Sequence, residues 1–464
     1  MESMPVEILC DIFLEVVKDR NIRTHRYAPN PLYISHVCRR WRDVALSSRE
    51  LWSYLEMKLE DSYGYRPMRS TQSAFWSPAV EIFDTWLLRT DSCPLNYRLI
   101  VGEVTPSNEP LYRAANHMIL ALLSQQHRWR NVEIRWDDKL LGVLVVNNIP
   151  LLSSLSLLLP CDYYETAFEV DISLSSELRD LRLGGFFRLN GCGDSIHRHM
   201  SSCHLVFVHH MHSLDGHMFW KLLRTAPRIE HLCAIGIVMD AAPLPNAYPL
   251  HLCDLRTLQL ELHRASFFLL DKLTLPALKA LKLDRSINIE AGIFLNFVRR
   301  SMPNLTCLHL QWCREDEAAL LTALRFLPTL KILHLGNVDT EMRVFEALTV
   351  SDMSKDSPEH VDAKGLILCP ALQCLSFENR SIRDDPSTFM HAVNTMLTSR
   401  WKLADSFTRV RFRDVDIKED LPLIPGQQTH ERVANGLQAG HSMVAESDEP
   451  PLFPQWWPPE ETFS

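Results

Sequence analysis

The chain has 464 residues, 46% hydrophobic and 23% charged, a mixture that excludes wholesale disorder and collagen-like repeats and is too long for one compact core. With 48 Lys plus Arg against 57 Asp plus Glu the formal charge is -9, so a phosphate backbone offers little counterion release and nucleic acid is not the expected partner. The 12 cysteines include no CxxC pair, which opposes ribbon-type zinc sites and dithiol redox motifs; they read as reduced, mostly buried thiols.

At the N-terminus Glu2 and Glu7 stand where a secretory leader would be basic, and no apolar stretch with a small-residue cleavage site follows, so a cytoplasmic or nuclear protein is expected. Ser3 can cap a helix with Pro5 in its first turn, and Ile8, Leu9, Ile12, Phe13, Val16 and Val17 form one apolar face. A basic, turn-rich segment from Arg20 to Asn30 ends it. Asn30-Pro31 opens a second helix with the stripe Ile34, Val37, Cys38, Trp41 and Val44, and a short third turn presents Leu51 and Trp52. Two helices and a turn cannot bury both stripes alone, so part of this surface should meet another chain or the next domain. Residues 56–128 read as a helical linker region. Leu140 to Pro160 contains no charge, but Asn147, Asn148 and Pro150 at its centre oppose a membrane span and favour a helix end followed by a buried strand.

From residue 129 to 420 the pattern is repetitive. Strict L-x-x-L-x-L begins at Leu152, Leu178, Leu255, Leu270, Leu278, Leu305 and Leu330. Without the out-of-phase copy at Leu270 the steps are 26, 77, 23, 27 and 25, and 77 is three periods, so two degenerate copies should lie between Leu178 and Leu255. They occur at Met200-x-x-Cys203-x-Leu205 and Ile229-x-x-Leu232, with further weak copies at Trp129, Leu372 and Phe407. A period near 25 is that of leucine-rich repeats, in which this motif is a turn entering a short strand. Pro276, Pro303, Pro328 and Pro370, each two residues before the first motif position, stop the preceding helix. The amphipathic segments Phe294 to Met302, Ala318 to Phe326 and Phe389 to Trp401 are the expected helices. Ser351 to Gly365 reads as an inserted loop, and residues 421–464 as a proline-rich, acidic, disordered tail whose Trp456-Trp457 is either a partner motif or an end cap.

The N-terminal letters resemble a family. Met4-Pro5-x-Glu7-Ile8-Leu9-x-x-Ile12-Phe13, then Leu32, Val37-Cys38-Arg39-Arg40-Trp41-Arg42 with Val44-Ala45, then Leu51-Trp52 resemble an F-box of the F-box-like form expanded in mushroom-forming fungi. The likeness continues through Trp86-Leu87, Pro94-Leu95 and His127-Arg128-Trp129-Arg130; Met4 replaces the family's Leu, and residues 20–30 lengthen the first connection. The expected fold is therefore α/β: a helical F-box over residues 1–55, then a leucine-rich-repeat-like solenoid with parallel strands on its concave side and helices on its convex side. The resemblance implies a substrate-recognition adaptor of an SCF-type cullin-RING ubiquitin ligase. Pro5, Ile8, Leu9, Ile12, Leu32, Val37, Cys38 and Trp41 would dock on the Skp-type adaptor, and through it a cullin, while the repeats hold a protein substrate. Such a subunit acts by proximity, not by chemistry of its own.

Substrate candidates are the residues between the motif leucines: Gln259, Glu261, Lys282, Asp284, His309, Gln311, His334 and Glu378, then Arg409, Arg411 and Arg413, which alternate with Val410 and Phe412. The arginines either block unwanted edge pairing or accept an acidic or phosphorylated segment. No catalytic residue, cofactor or metal is expected: His430-Glu431 lacks its second histidine because position 434 is Ala, and Gly191-Cys192-Gly193 lacks a third glycine. The rival readings are a repeat scaffold that engages no cullin and, less favoured, a zinc enzyme on the run His197, His199, His204, His209, His210, His212 and His217, whose plainer reading is a repeat strand flanked by polar turns.

Overall fold

The computed structural model describes residues 4–18, 31–59, 72–102, 109–136, 144–158, 168–185, 187–191, 197–206, 214–238, 249–262, 268–284, 292–311, 317–336, 343–350, 367–378, 386–403 and 409–413. Ser3, the segment 20–30, the loop 351–365, the tail 421–464 and the histidines at 209, 210 and 212 lie outside the described residues. The protein is mixed α/β, with many parallel strands and intervening helices. It divides into two compact units, Met1–Leu214 with Met218–Ala226, and Asp215–His217 with Pro227–Ser464.

The first unit opens with helices α1 (Val6–Lys18), α2 (Pro31–Ser35), α3 (Arg39–Ser47) and α4 (Arg49–Trp52). The single helix expected after Pro31 is thus two. Ser35 Oγ donates to the Leu32 carbonyl at 2.6 Å, Val37 N–H closes on Ile34, and Cys38 turns extended to cap α3, its Sγ accepting from Trp41 N–H at 3.4 Å. Leu9, Phe13, Leu14, Val17, Ile34, Val44, Ala45, Leu51 and Trp52 form a core that Trp86 of helix α5 (Gln72–Arg89) completes. The Trp52 indole donates to Ala45 at 2.9 Å, the Trp86 indole donates to Trp52, and their rings meet edge to face, so both buried N–H groups are satisfied.

Six strands follow in parallel pairs: Tyr54–Leu59, Leu95–Val101, Trp129–Trp136, Ser154–Leu158, Asp180–Gly184 and Ser202–Val206. Residues 56–128 therefore hold strands as well as α5 and α6 (Glu109–Ser124), which corrects the helical linker expected there. The period-two burial of Leu95, Tyr97, Leu99 and Val101 is the physical reason. A second parallel sheet, Leu144–Val146, Phe168–Asp171 and Phe187–Asn190, uses part of the uncharged stretch, and among the described residues no helix is long and apolar enough to cross a membrane.

The second unit pairs His231–Val238, Thr257–Leu262, Ala280–Asp284, Cys307–Gln311, Ile332–Gly336, Cys374–Glu378 and Arg409–Arg413, again in parallel. Every in-phase motif, strict or degenerate, leads into one of the strands of the two units. The motif at Leu270 does not: it lies in the helix Phe268–Lys272 and a short ladder that pairs Leu273–Thr274 with Leu250–His251. Helices Ile293–Ser301, Glu317–Leu324 and Pro386–Leu403 match the amphipathic segments, and Arg343–Leu348 adds one. Leu281, Leu283, Leu308, Leu310, Leu333, Leu335 and Leu375 are all buried, each contributing about 2 kcal/mol of apolar transfer as an upper estimate.

Arginines tie successive helices together. Arg128, in the short turn Gln126–Arg128 after α6, donates to the Cys93 carbonyl at 2.9 and 3.0 Å and to Thr90 Oγ1 at 2.7 Å, just beyond α5. Arg300 donates to Leu270 and Leu273, and buried Arg400 donates to Leu348, Cys369 and Leu368. Each guanidinium directs several N–H donors at backbone carbonyls in or beyond the preceding helix.

Candidate functional site

The N-terminal helices divide the expected docking residues. On α1, Leu9, Phe13, Leu14 and Val17 face the core, while Ile8 and Ile12 point outward, because too many apolar residues crowd 13 positions for one face to hold. Leu9 is 2% exposed and Ile8 47%. Leu9 therefore belongs to the fold, which corrects its place in a contact surface. Trp41 is half-buried, its ring 4.8 Å from that of Phe13, whereas Pro5, Leu32, Val37 and Cys38 are exposed. Val37 reaches 61% because the chain breaks between α2 and α3 at this residue. Val6 and Tyr33 also lie outside; the sequence signal for Val6 was the excess of apolar residues on α1, and for Tyr33 its place beside Leu32 opposite buried Ile34.

In the second unit the register aligns Cys233, Gln259, Lys282, His309, His334, Ser376 and Arg411 in one row across seven strands. A second row holds Glu261 beside Asp284, then Gln311, Gly336, Glu378 and Arg413, while Arg409 sits opposite Cys374. These strands bring together the expected residues, but not as an open surface. Gln259, Glu261 and Lys282 are buried, and Asp284, His309, Gln311 and His334 are intermediate. Strands stand about 4.8 Å apart, so long polar side chains in register cover one another's stems. The side chains of Glu378, Arg409, Arg411 and Arg413 lie outside the described residues.

Within this row Cys233 Sγ donates to Gln259 Oε1 at 3.1 Å, and His309 Nε2 is 3.1 Å from Gln311 Oε1. The His309 and His334 rings stack with centroids 3.8 Å apart. Gly336 makes room for them, since a Cβ there would stand 3.1 Å from both His334 Nε2 and Gln311 Cγ. The two half-buried imidazoles, with the Gln311 amide beside them, are the groups of these rows that can reach the hydrogen-bonding groups of an extended polar segment. In the first unit the corresponding row is largely self-neutralised: Arg98 lies 3.5 Å from Glu56 and 3.0 Å from Glu133, and Asn131 donates to Asn96 at 2.5 Å.

Of the histidine run, His197 is buried with Nδ1 3.3 Å from the Ser175 carbonyl, and burial lowers its pKa. Burial, helped by the Arg182 charge on the neighbouring strand, lowers His204 to about 4. Among the described residues no group of three His, Cys, Asp or Glu side chains could hold a metal ion. Burial also pushes Cys307 and Cys369 up to about 12, so these thiols are poor nucleophiles at neutral pH. Comparison with protein-family models gives no match, and comparison with curated proteins gives none.

Proposed function

We propose that this chain is a non-catalytic, substrate-recognition adaptor of an SCF-type cullin-RING ubiquitin ligase. Its N-terminal helices act as an F-box that docks on a Skp-type adaptor, and its strand-helix repeats form a leucine-rich-repeat solenoid that holds a protein substrate. The observation that carries the reading is the apolar surplus on α1, α2 and the turn after α2: Ile8, Ile12, Leu32 and Val37, with Val6 and Tyr33, stay exposed around a core that is already complete. A soluble chain keeps such a patch for a partner. The two rows from Gln259 to Arg411 and from Glu261 to Arg413 are the candidate substrate face, offered by the less buried His309, Gln311 and His334. Binding would raise the local concentration of a substrate lysine near a ubiquitin-charged enzyme.

The test is co-purification of adaptor and cullin with the tagged full chain. Ile8→Asp with Val37→Asp should abolish adaptor capture while leaving the thermal midpoint unchanged, because both side chains are outside the core. Capture by the folded double variant would refute the docking surface. Adaptor capture without cullin would favour the scaffold reading.

A further inference from the structure

Helices α5 and α6 bury one face each, with Phe83 and Trp86 on α5 and Leu111, Ala115, Met118 and Leu122 on α6. Helical spacing sets Glu81, Asp84 and Leu88 on the opposite face of α5, and Arg113, His117 and Leu120 on that of α6; all six are exposed. A solvated outer face is ordinarily polar. Here Leu88 is 81% and Leu120 64% exposed.

The two leucines are level with one another. His117 Nε2 lies 3.0 Å from Asp84 Oδ1, which fixes the relative height of the helices. They run parallel, because each connects neighbouring parallel strands, from Tyr54–Leu59 to Leu95–Val101 and on to Trp129–Trp136. Leu88 follows Asp84 by about 6 Å of helix and Leu120 follows His117 by about 4.5 Å. The outer surface of the pair is thus acidic on α5, basic on α6, and apolar at the same end of both.

Such a patch is its own complement. A two-fold axis parallel to the helices lays α5 of one copy over α6 of the other, so that Glu81 and Asp84 meet Arg113 and His117, and Leu88 meets Leu120. A uniformly acidic or basic partner would match only one helix. We propose that this chain self-associates face to face through α5 and α6 as a two-fold dimer. The residues involved are separate from those of the adaptor-docking reading, which can fail without affecting this one. Two helices per copy make an interface at the small end of the specific range, so a dissociation constant in the micromolar range is expected.

Sedimentation velocity of the full chain across about a hundredfold concentration range around 10 μM tests this. Wild type should pass from monomer to dimer, and Leu88→Glu should remain monomeric with an unchanged thermal midpoint. Glu81→Arg should weaken the dimer at least about tenfold, and adding Arg113→Glu should restore it, since the swap re-forms the pair across the two-fold. A wild type that stays monomeric throughout, a dimer that survives Leu88→Glu, or a charge swap that restores nothing would each overturn the proposal.

Discussion

The N-terminal helical cluster and the strand rows of the second unit solve opposite surface problems. The cluster closes its core with Leu9, Phe13, Leu51 and Trp52 and leaves apolar residues outside. The strand rows bury every motif leucine on one side and then crowd polar residues on the other until Gln259, Glu261 and Lys282 are themselves buried. An apolar surplus on short helices supplies affinity for one fixed partner, whereas polar groups held in register supply discrimination at the cost of their own desolvation. The contrast is between apolar side chains left outside a closed core and polar side chains drawn under cover.

The sharpest way to break that contrast is at neighbouring positions of α1. Leu9→Ala should lower stability by about 3 kcal/mol, and Ile8→Ala by no more than about 0.5 kcal/mol, because only the first opens a cavity. Hydrogen exchange in α3 and α4 of the full chain reports the difference, and equal effects would mean that α1 packs by its other stripe.

Acid should destabilise the first unit through His204 on the strand Ser202–Val206. The folded pKa of His204 is lowered from 6.5 to about 4, so the unfolded chain binds its proton more readily. The stability is complete above pH 6.5 and is lost as pH falls toward about 4, by on the order of 2 to 3 kcal/mol, with no further loss below. Denaturation midpoints measured against pH should flatten in His204→Phe.

Arg400→Met removes the guanidinium donors to the Leu348, Leu368 and Cys369 carbonyls, of which Cys369 still accepts from Leu372 N–H, and should cost about 2 kcal/mol. Chemical denaturation followed by Trp fluorescence measures it, and a neutral result would show that the helix ends recover other donors. The smallest effect is expected at the imidazole stack: His334→Ala should cost under about 1 kcal/mol while weakening any bound polar segment, since the pair is half-exposed and set by Gly336. A large stability loss there would move His334 from recognition to core.

Much of the ladder was legible because a parallel strand buried on one face repeats its leucines in a fixed phase. Even Met200 and Ile229, where the motif has decayed, lead into strands where the period puts them. Tyr54–Leu59 and Leu95–Val101 were missed since their motifs lack the leading leucine, although the alternation of Leu95, Tyr97, Leu99 and Val101 was readable. The candidate sites were legible as residue sets and not as surfaces. Val37 and Leu9 look alike in a hydrophobic count, and Lys282 looks as solvated as any lysine.

The sequence by itself determined the strands that follow the in-phase motifs, the α/β class and the apolar excess at the N-terminus, because these follow from periodicity and composition, which are local. Only the tertiary structure decided that α2 and α3 are separate helices, that Leu9 is core and Ile8 surface, that His309 stacks on His334, and that Leu88 and Leu120 stand level on neighbouring helices. Each of these depends on which residues distant in the chain are brought to the same height and the same face, and helix packing and strand register, not local propensity, set that.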